Sequence, residues 1–265
     1  MTMVETDSIR FFSFDSFPTG QVIQGIYSRN GGVSPSPWAS LNLGGLNGDT
    51  RNNVIENRHR IFQNVGRPVE SIYDVWQVHS ADVICTNQPR PLDAPHQKAD
   101  GIVTNHSEIT LFMRFADCVP ILFYEPEKRV VAIAHAGWQG TVKNVGAKTV
   151  KKMCDVYGCN VEKIFAGIGP SIGQDHYEIG LDVAERIQAV LAERSREVLR
   201  PHHNKFLLDL WKSNEILLQQ AGVKHIEIAG ICTACHLEDW YSHRGEHGNT
   251  GRFGALIALR EAEVQ

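Results

Sequence analysis

The stretch VPILFYEPEKRVVAIAH, residues 119–135, decides the fold of this chain. Its two apolar runs, residues 119–124 and 130–135, are joined by a short polar connection of turn-forming composition, which predicts a β-hairpin. Antiparallel pairing brings the beginning of one strand beside the end of the next. We therefore expect Cys118, which precedes the first strand, to lie next to His135.

Outward from this hairpin, short β-rich segments come before residue 136, and helical and β-type patterns alternate after it. The predicted helices cover residues 51–64, 140–157, 181–195 and 210–221. The predicted strands cover residues 72–78, 82–86, 101–104, 109–114, 163–168 and 225–231, with a last apolar run at 253–259. No linker or repeat divides the sequence. We predict an α+β fold, with mixed β-sheets covered by helices, in a single domain over residues 1–265.

Composition limits the classes of partner. The chain has 265 residues, of which 42% are hydrophobic and 21% charged, as in an ordinary folded protein. Its formal net charge of −4 offers no basic field for nucleic acid or an anionic membrane, so small-molecule partners are expected. Residues 1–17 lack the apolar segment of a secretory signal, and no run of about 18 apolar residues occurs. We expect a cytoplasmic protein whose cysteines are thiols or metal ligands.

Three side chains offer the ligand types that zinc favours. Cys118 and His135 are expected to meet at the hairpin, and His79 lies at the end of a predicted strand. One thiolate and two imidazoles would leave a fourth position for water or substrate, as catalytic zinc requires. Gly137 and Gly140 permit close approach of a ligand and open a helix whose N-terminal amides suit an anion. Ordinary packing of the same three side chains is the alternative that their spacing leaves open.

Five short motifs point to a known family. They are Gln77-Val-His-Ser80, Lys98-Ala-Asp-Gly101, Ala116-Asp-Cys-Val-Pro120, His135-Ala-Gly-Trp-Gln-Gly-Thr141 and Ile168-Gly-Pro-Ser-Ile-Gly173. With these motifs the sequence resembles the YfiH-like family, also called the laccase-domain or multicopper polyphenol oxidase family and, more recently, bacterial-type purine nucleoside phosphorylase. Weaker matches extend the resemblance over nearly the whole chain.

The resemblance implies a zinc ion bound by His79, Cys118 and His135, which are also the candidate catalytic residues. It implies phosphorolysis of adenosine, inosine and methylthioadenosine to a free base and ribose 1-phosphate, with adenosine deamination alongside. One departure concerns the residue after His-Ala-Gly-Trp, which is usually Arg in the family and is Gln139 here. A charged role at that position is therefore in question.

Further candidates surround this trio. Those for phosphate and ribose are Arg29, Asn42, Arg58, Arg244 and Arg252. A guanidinium fork matches phosphate oxygens, although an exposed surface charge is the alternative for each arginine. Asp100 and Asp117 are candidates to hold the histidine rings or to act as a general acid, with a turn residue as the alternative for Asp100. Strand alternation predicts that Trp76 packs in the core, whereas Trp138 is left open.

Three other functions compete with phosphorolysis. A copper polyphenol oxidase normally needs several His-x-His pairs, and the sequence contains none. A cysteine amidase that edits peptidoglycan precursors would use Cys118 as nucleophile and His135 as base. A non-enzymatic module stabilised by zinc would unfold when the metal is removed.

The motif Cys232-Thr-Ala-Cys-His236 matches the attachment signature of a c-type haem. Such haem is normally attached outside the cytoplasm, which disfavours that interpretation here. A lone Cys-x-x-Cys supplies only half a zinc site. We interpret Cys232 and Cys235 as a packed or incidental thiol pair, with Cys232 close to the functional site.

Overall fold

The computed structural model describes residues 2–6, 8–45 and 47–261. The predicted domain, residues 1–265, also includes residues 1, 7, 46 and 262–265, which lie outside the described residues. The described part of the chain forms two six-stranded sheets, one three-stranded sheet and five α-helices. The predicted α+β class, with mixed sheets covered by helices, is confirmed.

The strands are β1 (Thr2–Thr6), β2 (Ile9–Ser13), β3 (Val22–Tyr27), β4 (Ile72–Tyr73), β5 (Val83–Cys85), β6 (Gly101–Thr104), β7 (Thr110–Phe115), β8 (Val119–Glu125), β9 (Val130–Ala136), β10 (Phe165–Ile168), β11 (Glu178–Ile179), β12 (Leu199–His202), β13 (Lys205–Leu208), β14 (His225–Ile228) and β15 (Phe253–Leu259). The α-helices are α1 (Arg51–Asn64), α2 (Trp138–Val142), α3 (Val145–Tyr157), α4 (Leu181–Leu191) and α5 (Leu210–Gln220). Short 3₁₀ helices cover Val69–Ser71, Val161–Lys163, Gln174–His176 and Ala192–Glu197.

The two large sheets are both mixed. The first sheet has the order β1-β2-β3-β15-β7-β4, and only the β4–β7 pair is parallel. The second sheet has the order β14-β10-β8-β9-β6-β5, with parallel pairs at both edges. The third sheet, β11-β13-β12, is antiparallel.

The large sheets lie face to face between layers of helices. Side chains that alternate along β8 separate its two faces: Leu122 packs against the first sheet, whereas Ile121 packs toward α3 and α5. On the outer face of the first sheet, Ile61 and Phe62 of α1 pack against Phe112. Since β8 and β9 are covered on both faces, their sequences are almost continuously apolar.

The predicted hairpin is confirmed. β8 and β9 pair antiparallel, and the register sets Pro120 opposite His135 and Val119 opposite Ala136. All residues of both strands are buried. Cys118, directly before β8, is therefore held beside the end of β9.

The predicted helices are largely confirmed, and local backbone geometry explains their differences. The Thr50 side chain accepts a hydrogen bond from the Asn53 amide and caps α1, whose bounds match the prediction. The predicted helix over 140–157 is divided into α2 and α3 at Asn144, which has a φ of 62°. The predicted helix over 181–195 ends as α4 at Leu191, because Ala192 has a φ of 49°.

Some strands differ from the sequence prediction. The predicted strand over residues 72–78 ends at Tyr73, and Trp76 makes only an isolated bridge to Lys98. β1 was not predicted because its residues are largely exposed and carry no apolar alternation. Among the described residues, no helix is both long enough and apolar enough to cross a lipid bilayer.

Packing between the large sheets can be tested with Leu122→Ala. Leu122 is fully buried, so we expect the substitution to leave a cavity and to lower the free energy of unfolding by about 2–5 kcal/mol. Val156→Ala on α3, where the side chain is 52% exposed, serves as the control and should change the free energy of unfolding by less than about 1 kcal/mol. Urea denaturation measures the free energy of unfolding of both variants. Equal effects of the two substitutions would contradict the described packing.

Candidate active site

Three metal-ligating side chains converge where the hairpin ends. His135 lies in β9, Cys118 directly precedes β8, and His79 lies in the irregular segment after β4. Their donor atoms all lie within 4.8 Å of one another, and Cys118 Sγ is 3.9 Å from His79 Nε2. Solvent exposure decreases across the group, since His79 is exposed, Cys118 is half-buried and His135 is buried. The group is therefore open to solvent on the side of His79.

A buried carboxylate orients the His135 ring. Asp100 Oδ1 lies 2.8 Å from His135 Nδ1, and Asp100 Oδ2 accepts hydrogen bonds from the Ser80 amide and hydroxyl. Burial alone would raise the pKa of Asp100, but the hydrogen bond from His135 and its charge lower that pKa to about 2. The carboxylate is therefore ionised and keeps the proton on Nδ1, which leaves Nε2 free to bind a metal or substrate. The expected contact between Asp100 and a site histidine is present.

The Cys118 thiol has unusual electrostatics. Burial would raise its pKa, but the charge of His135 and hydrogen bonds with His135 and His79 outweigh burial and lower the pKa to about 6. In the same pair, burial lowers and the Cys118 charge raises the pKa of His135, and the net direction is upward. The pair therefore favours a thiolate, which is the form that binds metals.

Two residues of the site have left-handed backbones. His79 has a φ of 55° and Asp117 a φ of 81°, a region that non-glycine residues adopt infrequently. Lys143 Nζ donates to the His79 carbonyl at 2.6 Å. Asp117 accepts from the Thr233 hydroxyl at 2.7 Å and from the Arg244 amide at 2.6 Å. Through these contacts Asp117 joins the loops that contain Thr233 and Arg244, and it makes no hydrogen bond to a histidine ring among the described residues.

The three donors open onto a cavity of about 870 Å³. Gly137 forms the floor beside them, since a Cβ at this position would lie 2.7 Å from Cys118 Sγ and 3.3 Å from His79 Cδ2. Only glycine leaves this space between the loop and the donors. Gln139, which replaces the family's usual Arg, also lines the cavity.

Arginines dominate the charged wall of this cavity, although the chain is acidic overall. The lining includes six arginines and one aspartate: Arg51, Arg58, Arg90, Arg114, Arg244, Arg252 and Asp117. Arg58 is distinctive because its Nε is buried and has no hydrogen-bond partner among the described residues. Burial lowers the pKa of Arg58, an effect that the nearby Asp74 charge partly offsets. Arg58 also lines the cavity, so its guanidinium group adds positive charge to the wall.

Beneath this wall, Asp74 anchors several of the basic groups. It is fully buried and lies 2.8 Å from Arg90 Nε, 3.0 Å from His96 Nε2 and 3.8 Å from Arg114 Nη2. Burial alone would raise its pKa, but the His96 hydrogen bond and the charges of Arg114 and Arg58 hold the pKa of Asp74 well below its usual range. The segment after β4 thus supplies both His79 and the carboxylate that fixes the arginines.

The other predicted substrate residues separate into two groups. Arg244 and Arg252 line the cavity; Arg244 lies over the Tyr177 ring, with its carbon Cζ 5.4 Å from the ring centroid. Asn42 is buried and accepts from the amides of Gly44 and Arg252, and therefore holds loops together. Arg29 pairs with Glu246 and stacks on Tyr241, likewise outside the cavity lining.

Several residues that line the cavity differ from the sequence prediction or were not predicted. Trp76 was expected in the core, but it is 46% exposed and lines the cavity, because β4 ends before it and strand alternation no longer applies. Trp138, which the sequence left open, also lines the cavity. His59, an exposed position of α1, lines the cavity as well and was not among the sequence candidates.

The fold and the site together define a class of α+β protein with a histidine, cysteine and histidine donor set at the end of a hairpin, in an arginine-rich cavity. The family model described as "Multi-copper polyphenol oxidoreductase laccase" matches residues 23–260. The chain therefore belongs to this laccase-domain, or YfiH-like, family, and the resemblance seen in the sequence is confirmed.

Individual relatives agree with the family assignment. Purine nucleoside phosphorylase YlmD of Bacillus subtilis is 34% identical over 250 residues, which cover 91% of this chain and 90% of the relative. A purine nucleoside phosphorylase of Deinococcus radiodurans is 37% identical over 238 residues, covering 90% of this chain and 89% of the relative. The crystal structure of the hypothetical protein YfiH of Bacillus licheniformis aligns with a TM-score of 0.91 at 29% identity, covering 97% and 98% of the two chains.

The anchoring by Asp74 predicts a pH-dependent effect of Asp74→Asn. A carboxylate with a lowered pKa contributes stability above its unfolded pKa of about 3.9 and loses that contribution as the pH falls toward its folded pKa. We expect the substitution to lower the free energy of unfolding by about 3 kcal/mol at neutral pH and by less near pH 3, because Asp74 becomes protonated in the unfolded chain there while the folded carboxylate stays ionised. Denaturation across this pH range checks the difference.

The control for this experiment is Asp93→Asn, an exposed position in the loop that follows Arg90. It should have little effect at either pH. A cost of Asp74→Asn that is the same at neutral and acid pH would contradict the ion-pair role of Asp74.

Proposed function

We propose that this chain is a zinc-dependent purine nucleoside phosphorylase that cleaves adenosine, inosine and methylthioadenosine with phosphate, giving the free base and ribose 1-phosphate. The observation that carries the proposal is the opening of the three donors, His79, Cys118 and His135, onto an arginine-rich cavity. The names of the relatives at 34% and 37% identity support the same reaction. Adenosine deamination is proposed as a side activity.

The donor set fits zinc. One thiolate and two imidazoles bind this ion well, and three protein ligands leave a position open toward the cavity. The Gly137 floor and the Asp100 contact to His135 support the assignment, because they hold the donors close together without filling the space between them. When bound, zinc supplies Lewis-acid polarisation of an oxygen atom, whether it belongs to phosphate or water.

Arg58 is the proposed phosphate anchor. Phosphorolysis requires an anion to be held beside the anomeric carbon of the sugar, where its oxygen forms a bond as the bond to the base breaks. Arg58 lines the cavity together with five other arginines, and these side chains provide positive charge for the anion. Arg244 and Arg252 lie late in the sequence but line the same cavity as Arg58. We propose that they share the contacts with phosphate and ribose.

Aromatic surface is available for the purine. Trp76 is half-exposed, and Trp138 lines the same cavity with Arg186 at 5.8 Å from its ring centroid. A planar base gains dispersion and quadrupole interactions against such rings. We propose that Trp76 stacks on the purine, while Asp100 holds the proton on His135 Nδ1 throughout the reaction.

We also propose that the chain is one domain. β15, near the end of the sequence, lies between β3 and β7 of the first sheet, so the early and late parts of the described chain share a single core. The cytoplasm remains the expected compartment.

Incubation with each nucleoside, with and without phosphate, tests the proposed reaction. We expect phosphate-dependent release of the base together with ribose 1-phosphate. Adenosine is the one nucleoside of the three from which we also expect release of ammonia. Cys118→Ser should remove the activity, whereas Cys154→Ser, a half-buried thiol on α3, should retain it. Absence of phosphate-dependent base release from all three nucleosides would overturn the proposal. Copper in the purified protein, with oxygen uptake on phenols, would instead support the oxidase alternative.

The role of Arg58 predicts a selective kinetic effect of Arg58→Gln. Loss of a charged hydrogen-bonding partner should raise KM for phosphate by about tenfold or more, while KM for the nucleoside changes by less than about twofold. Arg60→Gln is the matched control, because Arg60 lies on the same helix and pairs with Glu56 on the surface. Steady-state kinetics with each substrate varied in turn measures both. An equal rise in the two KM values would argue against a phosphate contact.

A further inference from the structure

A second group of metal-ligating side chains lies outside the cavity. Two segments distant in sequence meet there: the 3₁₀ helix Gln174–His176 and the loop after β14 that contains Cys232 and Cys235. A bridge between Ser171 and Cys232 joins the segments. Asp175 and His176 of the first segment face the two thiols of the second, so the Cys-x-x-Cys motif gains two further donors that its own sequence lacks.

The donor atoms lie within 4.8 Å of one another, close to the spacing of a tetrahedral site. Cys235 Sγ lies 3.6 Å from His176 Nδ1 and 4.0 Å from Asp175 Oδ2. Cys232 Sγ lies 4.0 Å from His176 Nδ1, which is 3.2 Å from Asp175 Oδ2. Ligands at zinc bond lengths of about 2.0–2.3 Å occupy tetrahedral corners roughly 3.3–3.8 Å apart. The four donors thus need only small movements to enclose one ion.

The local backbone supports this arrangement independently. The Gly173 amide donates to Cys232 Sγ at 3.1 Å, the type of hydrogen bond that supports a thiolate ligand. A Cβ on Gly173 would lie 2.8 Å from Asp175 Oδ1 and 3.1 Å from Cys232 Cβ. Glycine therefore allows the two segments to approach. Among the ion pairs of the described residues, the partner of Asp175 is His176, so no Lys or Arg neutralises the cluster there.

We propose that Asp175, His176, Cys232 and Cys235 form a second, structural zinc site. Two thiolates, one imidazole and one carboxylate suit a small thiophilic divalent cation, and four protein ligands leave no position for substrate. Asp175, His176 and Cys235 are exposed, which provides a path for the ion to enter. The site differs in this closed coordination from the three donors at the cavity.

The second site would stabilise the cavity wall. Thr233, directly after a donor of the cluster, donates to the left-handed Asp117 that precedes Cys118. Tyr177, directly after another donor, lines the cavity and packs under Arg244. A zinc ion that joins the two segments would therefore hold both residues in position.

Metal analysis of wild-type and variant protein, purified with zinc and a reducing agent, tests this proposal. Cys235→Ser and His176→Gln should each contain about one zinc ion per chain less than the wild type, whereas the control Cys154→Ser should contain the same amount as the wild type. The comparison depends only on the difference between proteins, so it is independent of whether the chain cleaves nucleosides. His176→Gln keeps both thiols and guards against a folding defect specific to Cys235→Ser.

Thermal unfolding provides a second readout. Chelation should lower the Tm of both proteins, and the decrease should be larger for the wild type by at least about 4 °C. His176→Gln should show the smaller decrease because it has already lost the second ion. Unchanged zinc content in both variants would overturn the proposal. A disulfide between Cys232 and Cys235 in the zinc-loaded protein, detected by mass spectrometry, would overturn it as well.

Discussion

The antiparallel register of β8 against β9 is the constraint on which the candidate site depends. Because Pro120 lies opposite His135, the residue before β8 is brought next to the end of β9, and Cys118 meets His135. A shift of one residue would turn His135 toward the opposite face of the sheet. The apolar side chains on both faces of the hairpin resist such a shift, so the packing of the core also determines the position of the donors.

Local pairing explains how much of the fold could be predicted from the sequence. The hairpin joins two neighbouring apolar runs through a short turn, so both strands and their contact follow from the sequence alone. α1 has the bounds that its helical pattern predicted, and the cap that Thr50 and Asn53 form at its start is also local in sequence. The first strand, Thr2–Thr6, is exposed and lacks apolar alternation, and its pairing depends on partners that sequence patterns do not specify.

The meeting of Cys118 with His135 was predictable from the sequence, and the surroundings of the candidate site were less so. Cys118 and His135 follow from strand pairing, whereas the left-handed conformation of His79 and the exposure of Trp76 depend on an irregular segment. The second donor cluster shows the same limit more sharply. Its thiols form a visible motif, but His176 comes from a segment 56 residues earlier in the sequence, and only the folded chain brings them together.

We propose that the hairpin donors and the arginine wall form one site for phosphate and a purine nucleoside. Anomalous diffraction at the zinc edge, from crystals grown with inosine and phosphate, tests this most directly. We predict a zinc peak bonded to His79, Cys118 and His135, with phosphate within hydrogen-bond distance of the Arg58 guanidinium group and the nucleoside in the same cavity. Absence of zinc from these donors, with the nucleoside bound at another surface, would contradict the account.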